Sequence, residues 1–232
     1  MFTKVLSIAV ITALMLLTSC ANQPPVKNKA LQKDSATISK SGKSIFLLTI
    51  NLRNSYKVIY QPKLYTLNVE KIDANGGVNK IKFMMDDIAK NESTLRKIGN
   101  SYLLRIELER GEYILRGLTS VEGSWPIPGN FFVPLHANLK STGSGAFYLG
   151  HVDANIRERQ GAEFRAGPLL PLYTQDDVGA SGGTYDIKIA DEWEKDGPNF
   201  LNKFPALNGL AIQKSVLPPF DKDVAQKWWA SH

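Results

Sequence analysis

Apolar and polar residues alternate with a period of two along much of the chain, as they do in β-strands with one buried face. Such alternation runs through residues 65–70 and again through residues 80–85, on the two sides of Asn75-Gly76-Gly77. Because a tight hairpin turn requires residues that tolerate a positive φ, this segment predicts a β-hairpin. Asp73 precedes it, but the further acidic ligands of a calcium loop are missing, so a plain turn is the favoured interpretation.

The clearest hairpin pattern in the chain covers residues 102–109 and 113–118, which are joined by a short turn around Gly111. The segment 108–115 begins with Leu108 and ends with Ile114-Leu115, which are apolar. Gly111 lies between them, and Tyr113 follows it two residues later. The spacing resembles a turn that recurs in transthyretin-like and immunoglobulin-like sandwiches. The resemblance implies a two-sheet sandwich in which the Tyr113 hydroxyl bonds back to the backbone before the turn.

Further strand patterns and two short helix patterns complete the predicted fold. The strands are expected at 45–52, 131–137, 146–152, 183–189 and 210–217, with a glycine-rich turn at 140–145. Pro198 fits the first turn of a helix that Pro205 ends, and Asp221 fits the N-cap of a second helix. Residues 86–97 form a connection with at most one short helix. The predicted fold class is an antiparallel β-sandwich (immunoglobulin/transthyretin-like) with minor helices, in one globular domain over residues 45–232.

A short apolar run near the start of the chain has the form of a secretory signal peptide. Lys4 supplies a positive charge, residues 5–17 are almost entirely apolar, and the run ends in Leu17-Thr18-Ser19-Cys20. The run is shorter than the roughly 20 residues that cross a bilayer as a helix, so a permanent transmembrane anchor is disfavoured. Leu17-Thr18-Ser19-Cys20 resembles the lipobox of bacterial lipoproteins at all four positions. The resemblance implies removal of residues 1–19, diacylglycerol on the Cys20 thiol and acylation of the new amino terminus.

The residues that follow the lipobox define the expected location. In lipoproteins of this class an aspartate after the cysteine favours the inner membrane; here the residue is Ala21, so the outer membrane is expected. Residues 20–44 are rich in Asn, Gln, Pro, Lys and Ser and have little apolar surface, which predicts a flexible tether. Cys20 is the only cysteine, so no disulfide can form within the chain. No cofactor is expected beyond the covalent lipid on Cys20.

Several short segments of the predicted domain resemble envelope lipoproteins of Gram-negative bacteria. These are residues 148–152, residues 183–189 and Leu217-Pro218-Pro219. The resemblance implies an envelope location, but it carries no activity with it.

The chain is mildly basic, with a formal net charge of +6 at pH 7, and one of the positive charges leaves with the signal peptide. The basic residues are not clustered with aromatic residues, and an envelope location excludes nucleic acid as a partner in practice. The expected partners are the membrane, through the lipid anchor, and an envelope protein, glycan or lipid. Scattered solubilising charge is the favoured interpretation of the basic balance.

Gly179-Ala180-Ser181-Gly182-Gly183 fits the letters of the nucleophile elbow of serine hydrolases. That motif needs a helix after the serine, whereas residues 185–189 alternate as a strand, and His232 is the only histidine downstream. A glycine-rich hairpin loop is therefore the favoured interpretation, and no catalytic residue is assigned.

Four residues are candidates for a polar site: His151, Asp153, Asp176 and Asp177. The strand pattern places His151 on the same face as Phe147 and Leu149, as expected of a histidine at the edge of a core. The three histidines of the chain lack the paired spacings of metal ligands, so no metal site is predicted. The two neighbouring aspartates are expected in a solvated loop.

Trp228-Trp229 is the most conspicuous apolar feature near the C-terminus. Tryptophan is suited to interfaces, so both residues are candidates for a partner or membrane contact. Packing back over an open sheet edge is the favoured alternative.

These patterns together predict a non-enzymatic binding or assembly component of the bacterial envelope. The alternative is an envelope hydrolase that acts on a glycan or an ester with His151 and nearby carboxylates. Convergence of His151 and Asp153 with Asp176 or Asp177 in one pocket is the arrangement that favours the enzyme.

Overall fold

The structure, a computed structural model, describes residues 26–31, 37–38, 42–85, 90–91, 99–122, 128–169 and 175–231. The predicted signal peptide and the residues around Cys20 lie outside these ranges. The predicted connection over 86–97 also lies outside them, apart from two residues that form a short strand.

Eleven β-strands, two α-helices and one short 3₁₀-helix form from the described residues. The strands are β1 (Lys27–Ala30), β2 (Lys43–Asn54), β3 (Lys63–Ile72), β4 (Val78–Met84), β5 (Lys90–Asn91), β6 (Asn100–Glu109), β7 (Gly111–Glu122), β8 (Gly129–Ser141), β9 (Ala146–Glu158), β10 (Gly183–Ala190) and β11 (Ile212–Lys214). The helices are α1 (Trp193–Lys203) and α2 (Lys222–Ala230), and the 3₁₀-helix is Pro205–Leu207. Neither α1 nor α2 has the length and the apolar composition that a membrane-crossing helix needs.

Two sheets pack face to face and confirm the predicted β-sandwich with minor helices. One sheet has the strand order β1-β4-β3-β7-β8, and the other has the order β10-β9-β2-β6-β5, with β11 also paired to β9. A single buried cluster takes side chains from both sheets, among them Ile50 and Leu104 from one and Leu67 and Leu115 from the other. Removal of these two apolar faces from water is the main contribution to the stability of the sandwich.

Strand direction in the sandwich is mixed rather than purely antiparallel. β2 and β9 run parallel in the middle of the six-stranded sheet, and β1 with β4 and β11 with β9 are parallel as well. Parallel neighbours require a long connection between them. Here all of β3 to β8 intervenes between β2 and β9, so local alternation carries no information about this pairing.

The first predicted hairpin is confirmed, and the second is wrong although both of its strands are present. β3 and β4 pair antiparallel on the two sides of the Asn75-Gly76-Gly77 turn. β6, by contrast, pairs with β2 in one sheet, while β7 pairs with β3 and β8 in the other. The chain therefore crosses from sheet to sheet at Arg110. The Tyr113 hydroxyl donates a hydrogen bond to the Glu109 carbonyl oxygen at 2.9 Å, so the corner brace that the resemblance implies is present.

The predicted flexible tether is wrong for its middle portion and its last residues. Lys27–Ala30 forms β1, which extends the five-stranded sheet by pairing with β4, and Leu31 is buried in the core. Strand addition at a sheet edge depends on backbone hydrogen bonds, so a polar sequence is no obstacle to it. The first globular strand, β2, begins at Lys43 rather than at Ile45.

The predicted end of α1 and the predicted N-cap of α2 are confirmed, whereas the predicted start of α1 is wrong. α1 begins at Trp193, so Pro198 lies inside the helix rather than in its first turn. The helix ends at Lys203, before Pro205, as predicted, because proline cannot continue a helix with internal hydrogen bonds. Asp221 caps α2 through its side chain, as predicted. The predicted final strand is limited to the three residues of β11.

Candidate functional site

The candidate site is built around His151 and depends on a bulge in β9. Leu47 pairs with Tyr148 and Thr49 pairs with His151, so β9 contains one residue more than β2 between these two pairs. Such an extra residue is a β-bulge and reverses the alternation of side chains beyond it. Gly150 lies in the bulge with a φ of 111°, a conformation that glycine adopts more readily than other residues.

The bulge places His151 on the outer face of the six-stranded sheet, and the predicted face is therefore wrong. Phe147 and Leu149 contact the core between the sheets, whereas Tyr148, before the bulge, belongs to a second buried cluster on the outer face. Because the alternation of side chains reverses at Gly150, His151 lies on the same face of the sheet as Tyr148 rather than on that of Leu149.

Helix α1 covers this outer face and, with its N-cap residue, supplies two carboxylates of the site. Phe200 and Phe204 are buried against Leu47 and Tyr148 in the second cluster. This packing fixes the helix over the sheet and brings its N-terminal residues above His151. Glu192 at the N-cap and Asp196 one turn later lie on one face of the helix, since residues four apart are neighbours.

Both ring nitrogens of His151 have polar partners. Nδ1 lies 2.9 Å from Oδ2 of Asp196 and 3.5 Å from Oε2 of Glu192. Nε2 lies 2.7 Å from the side-chain amide nitrogen of Asn51, which also donates to Oδ1 of Asp153 at 2.9 Å. The Tyr148 hydroxyl donates to the same Asp196 oxygen at 2.6 Å. His151 is only 3% exposed, so these contacts form an enclosed network.

The network shifts the pKa of each of its main members. Burial by itself lowers the pKa of the His151 imidazole, but the neighbouring carboxylates of Asp153 and Asp196 outweigh it and raise the pKa to about 9. The His151 ring, 3.7 Å away, lowers the pKa of Asp153 to about 2. For Asp196, burial opposes ionisation, yet hydrogen bonds with His151 and Tyr148 keep the pKa of its carboxyl below the usual value.

The structure brings together only part of the predicted polar site. His151 and Asp153 are adjacent, as the alternative enzyme hypothesis requires, but Asp176 and Asp177 lie elsewhere. Ala190 pairs with His151 at one end of β10, and Gly183 pairs with Glu158 at the other. Seven residues of strand separate these ends, which is about 23 Å, and the two aspartates precede Gly183.

Sequence reasoning missed Asp196, Glu192 and Asn51. Asp196 and Glu192 become neighbours only if α1 begins near Trp193, whereas Pro198 was expected in the first turn. The spacing of four residues between the two carboxylates was the available signal for a shared helix face. Asn51 faces His151 through the parallel pairing of β2 with β9, which no local pattern indicates.

Ser181 lies in a turn that precedes a strand, as predicted, rather than before a helix. β10 begins at Gly183, two residues later. The Ser181 hydroxyl donates to Oδ1 of Asp176 at 2.5 Å. In the part of the chain that the structure describes, this hydroxyl is thus bonded to a carboxylate rather than to the imidazole base that activates a serine nucleophile.

The tryptophan pair packs back onto the five-stranded sheet. The Trp228 ring lies 5.0 Å from the ring of Phe132 and 5.2 Å from that of His136, and Trp229 meets Phe132 edge to face. Phe132 and His136 belong to β8, the edge strand of that sheet. Both tryptophans remain half-buried, so α2 shields one side of the edge strand.

The fold and the site together define the structural class of this protein: a mixed β-sandwich with a helix packed over one outer face. No family model, curated protein or solved structure matches the chain. Its function is therefore argued from the lipobox and from the geometry of the described residues.

Proposed function

We propose that the chain is a bacterial lipoprotein anchored in the outer membrane through lipid on Cys20, and that its sandwich is a non-enzymatic binding or assembly component of the envelope. The observation that carries this proposal is Leu17-Thr18-Ser19-Cys20 at the end of an apolar run, with Ala21 after it. The two acyl chains of diacylglycerol and the third chain on the amine anchor a protein firmly, since each methylene buried in the membrane contributes about 0.8 kcal/mol to the free energy of binding.

The position of β1 supports a short connection between the anchor and the sandwich. Only residues 21–26 separate Cys20 from Lys27, where β1 begins. Seven residues of extended chain reach at most about 25 Å. The sheet edge formed by β1 is therefore held within that distance of the lipid, much closer than a flexible tether up to Ser44 allows.

The end of the sandwich at which β3 begins has the character of a binding surface. Val58 and Ile59 lie in the loop after β2 and are 59% and 78% exposed, and Leu169 in a neighbouring loop is 65% exposed. The Asn54 side chain joins the two loops by donating to the carbonyl oxygens of Tyr60 and Val178. Apolar side chains on firmly held loops are typical of protein interaction sites.

The hydrolase alternative is less well supported by the contacts of His151. A general base must reach a substrate proton, but the His151 ring is almost fully buried and both of its nitrogens are engaged. Asp176 and Asp177 do not join it. Assay of the purified protein with p-nitrophenyl esters tests this alternative, and hydrolysis that His151→Gln abolishes would favour the enzyme.

Anchoring is tested by membrane fractionation of cells that express three forms of the chain. The unchanged chain is expected in the outer membrane, Cys20→Ala in the soluble fraction, and Ala21→Asp in the inner membrane. Globomycin, which blocks the lipoprotein signal peptidase, is expected to accumulate the uncleaved precursor. Membrane retention of Cys20→Ala together with an unaffected precursor level would overturn the anchoring proposal.

The binding role is tested by crosslinking in intact cells. A photoreactive residue at Ile59 is expected to capture an envelope protein that mass spectrometry identifies. The matched position is Lys140, which is 75% exposed at the other end of the sandwich and is expected to capture no such adduct. Equal adducts at both positions, or none at Ile59, would argue against a binding surface on these loops.

A further inference from the structure

We propose that His151, Glu192 and Asp196 bind one divalent transition-metal ion of the zinc type. Nδ1 of His151, one oxygen of Glu192 and one of Asp196 lie within 4.8 Å of one another. One imidazole and two carboxylates form a ligand set that suits zinc and related ions. The inference is independent of the lipid anchor.

The distances fit a metal after a small movement. In a tetrahedral site with bonds of about 2.1 Å, neighbouring ligand atoms lie about 3.4 Å apart. Nδ1 lies 3.5 Å from Glu192 Oε2 and 2.9 Å from Asp196 Oδ2. A shift of about 0.5 Å in the Asp196 carboxylate therefore opens the space, and the ion takes the place of the proton between Nδ1 and Asp196.

The side chain of Thr49 provides a second observation in favour of an ion at the proposed metal site. It pairs with His151 across the β2–β9 ladder, so both side chains lie on the face covered by α1. Its buried hydroxyl has no hydrogen bond of good geometry to a described residue, but it lies within reach of the Asp196 carboxyl. A buried oxygen that is poorly bonded is costly, and a cation bound beside Asp196 gives it a closer partner.

The surrounding contacts resemble the outer shell of a metal site. Histidine ligands usually hold their second nitrogen in a hydrogen bond that fixes the ring, and here Nε2 meets Asn51, which is itself bonded to Asp153. The Tyr148 hydroxyl likewise fixes Asp196. These contacts orient the imidazole and one carboxylate before an ion arrives.

Charge and access are also favourable. Once an ion displaces the ring protons, His151 is neutral and the site contains the negative charges of Glu192, Asp196 and Asp153. Among the described residues, Lys195 pairs with one of these, 2.8 Å from Glu192. A divalent cation balances this excess. The Glu192 side chain is partly exposed, so an ion can reach the site from solvent once Lys195 moves aside.

The test uses the full chain, purified in detergent without a histidine tag and stripped with a chelator that is then removed. Equilibrium dialysis against Zn²⁺ or Mn²⁺, with metal measured by mass spectrometry, is expected to give one Zn²⁺ per chain. Glu192→Gln is expected to weaken Zn²⁺ binding tenfold or more, roughly the scale of such losses. Glu194→Gln, on the same helix but 94% exposed, is the matched control and is expected to bind like the unchanged chain.

Nitrogen NMR of labelled histidine locates the ion without reference to any activity. On addition of Zn²⁺, Nδ1 of one histidine is expected to change from a protonated to a metal-bound shift, and His151→Gln removes that signal. Absence of stoichiometric uptake, equal binding by Glu192→Gln and Glu194→Gln, or a metal-bound shift that survives in His151→Gln would overturn the proposal. A hydrogen-bonded structural cluster would then be the only role left for these residues.

Discussion

At the residue scale, His151 and its partners connect three parts of the chain that are distant in sequence. Asn51 comes from β2, Asp153 from β9, and Asp196 from α1. The contacts with Asn51 and Asp196 satisfy the two ring nitrogens of His151, which burial would otherwise leave unpaired. The network therefore holds α1 on the six-stranded sheet, whether or not an ion is bound.

Asp196→Asn tests the contribution of this network to stability. The variant keeps the shape of the side chain but removes the negative charge that meets His151 and Tyr148. Breaking a buried charged pair typically costs about 3 kcal/mol, so the free energy of unfolding by urea is expected to fall by about that amount. Asp177→Asn, at an exposed position, is expected to change it by less than about 0.5 kcal/mol. Equal effects of the two substitutions would contradict a stabilising network.

Gly150→Ala tests the bulge that reverses the face of His151. A Cβ at Gly150 would lie 3.0 Å from Val216 and 3.1 Å from the Ala190 carbonyl oxygen, and the φ of this residue disfavours a side chain. A loss of about 2 kcal/mol in unfolding free energy is expected. Gly161→Ala is the control, because Gly161 also has a positive φ but open space around it. If both variants lose the same amount, close packing at Gly150 is unimportant.

The residue types of the site were predictable only in part. His151 and Asp153 stood out because a histidine and an acid alternate within one strand pattern. The bulge at Gly150 is a change of one residue in register, and it leaves a trace in the sequence. The core-facing apolar residues are Phe147 and Leu149 before it but Val152, Ala154 and Ile156 after it. The predicted strand ended at residue 152, so this change of phase, and with it the face of His151, was missed.

At the element scale, strands were easier to predict than their partners. Alternation in 102–109 and 113–118 correctly indicates two strands, since each turns one apolar face to the core between the sheets. It does not distinguish a hairpin from a crossing between sheets, because both arrangements bury alternate residues. The crossing at Arg110 depends on which neighbours the strands meet far along the chain.

Tyr113→Phe tests the brace at this crossing. The substitution leaves the ring in the core but removes the hydrogen bond to the Glu109 carbonyl oxygen. A loss of about 1 kcal/mol in unfolding free energy is expected, the usual scale for one such bond. Tyr65→Phe, at an exposed ring, is the control and is expected to have little effect. A neutral Tyr113→Phe would mean that the corner is held by backbone contacts alone.

An ion-pair network attaches α2 to the end of β9 and predicts a dependence on pH. Two hydrogen bonds from Arg157 and one from Lys222 at the start of α2 hold the pKa of Glu163 well below its usual value. A carboxyl with a lowered folded-state pKa stabilises the fold above its unfolded pKa and loses that contribution as pH falls.

Glu163→Gln is therefore expected to destabilise the chain at pH 7, and the difference from the unchanged chain is expected to shrink as pH falls from about 5 to 2. Urea unfolding at several pH values measures it. Glu112→Gln, which breaks an exposed pair with Lys140, is expected to have little effect at any pH. A Glu163→Gln effect that is constant with pH would contradict this account.

At the scale of the whole molecule, the sandwich was predictable and the arrangement of its parts was not. Repeated alternation and glycine turns indicate two apolar faces that must pack together. The parallel pairing of β2 with β9 and the addition of β1 to a sheet edge depend on backbone hydrogen bonds over long separations. Neither leaves a mark in the side-chain pattern of a polar segment such as residues 27–30.

The proposed role depends on the position of β1 and on the exposed loops around Ile59. β1 holds the start of the described chain on one sheet edge, a few residues from Cys20. The exposed loops around Ile59 lie at the end of the sandwich where β3 begins. Under the proposed function, a partner in the envelope contacts these loops.

The chemical state of the amino terminus tests the central claim most directly. The protein is extracted from the membranes of the cells that make it, and its N-terminal peptide is analysed by mass spectrometry. The account predicts that the mature chain begins at Cys20 and carries diacylglycerol on the thiol and an acyl group on the amine. An N-terminal peptide that retains Met1, or one in which Cys20 is present without lipid, would contradict it.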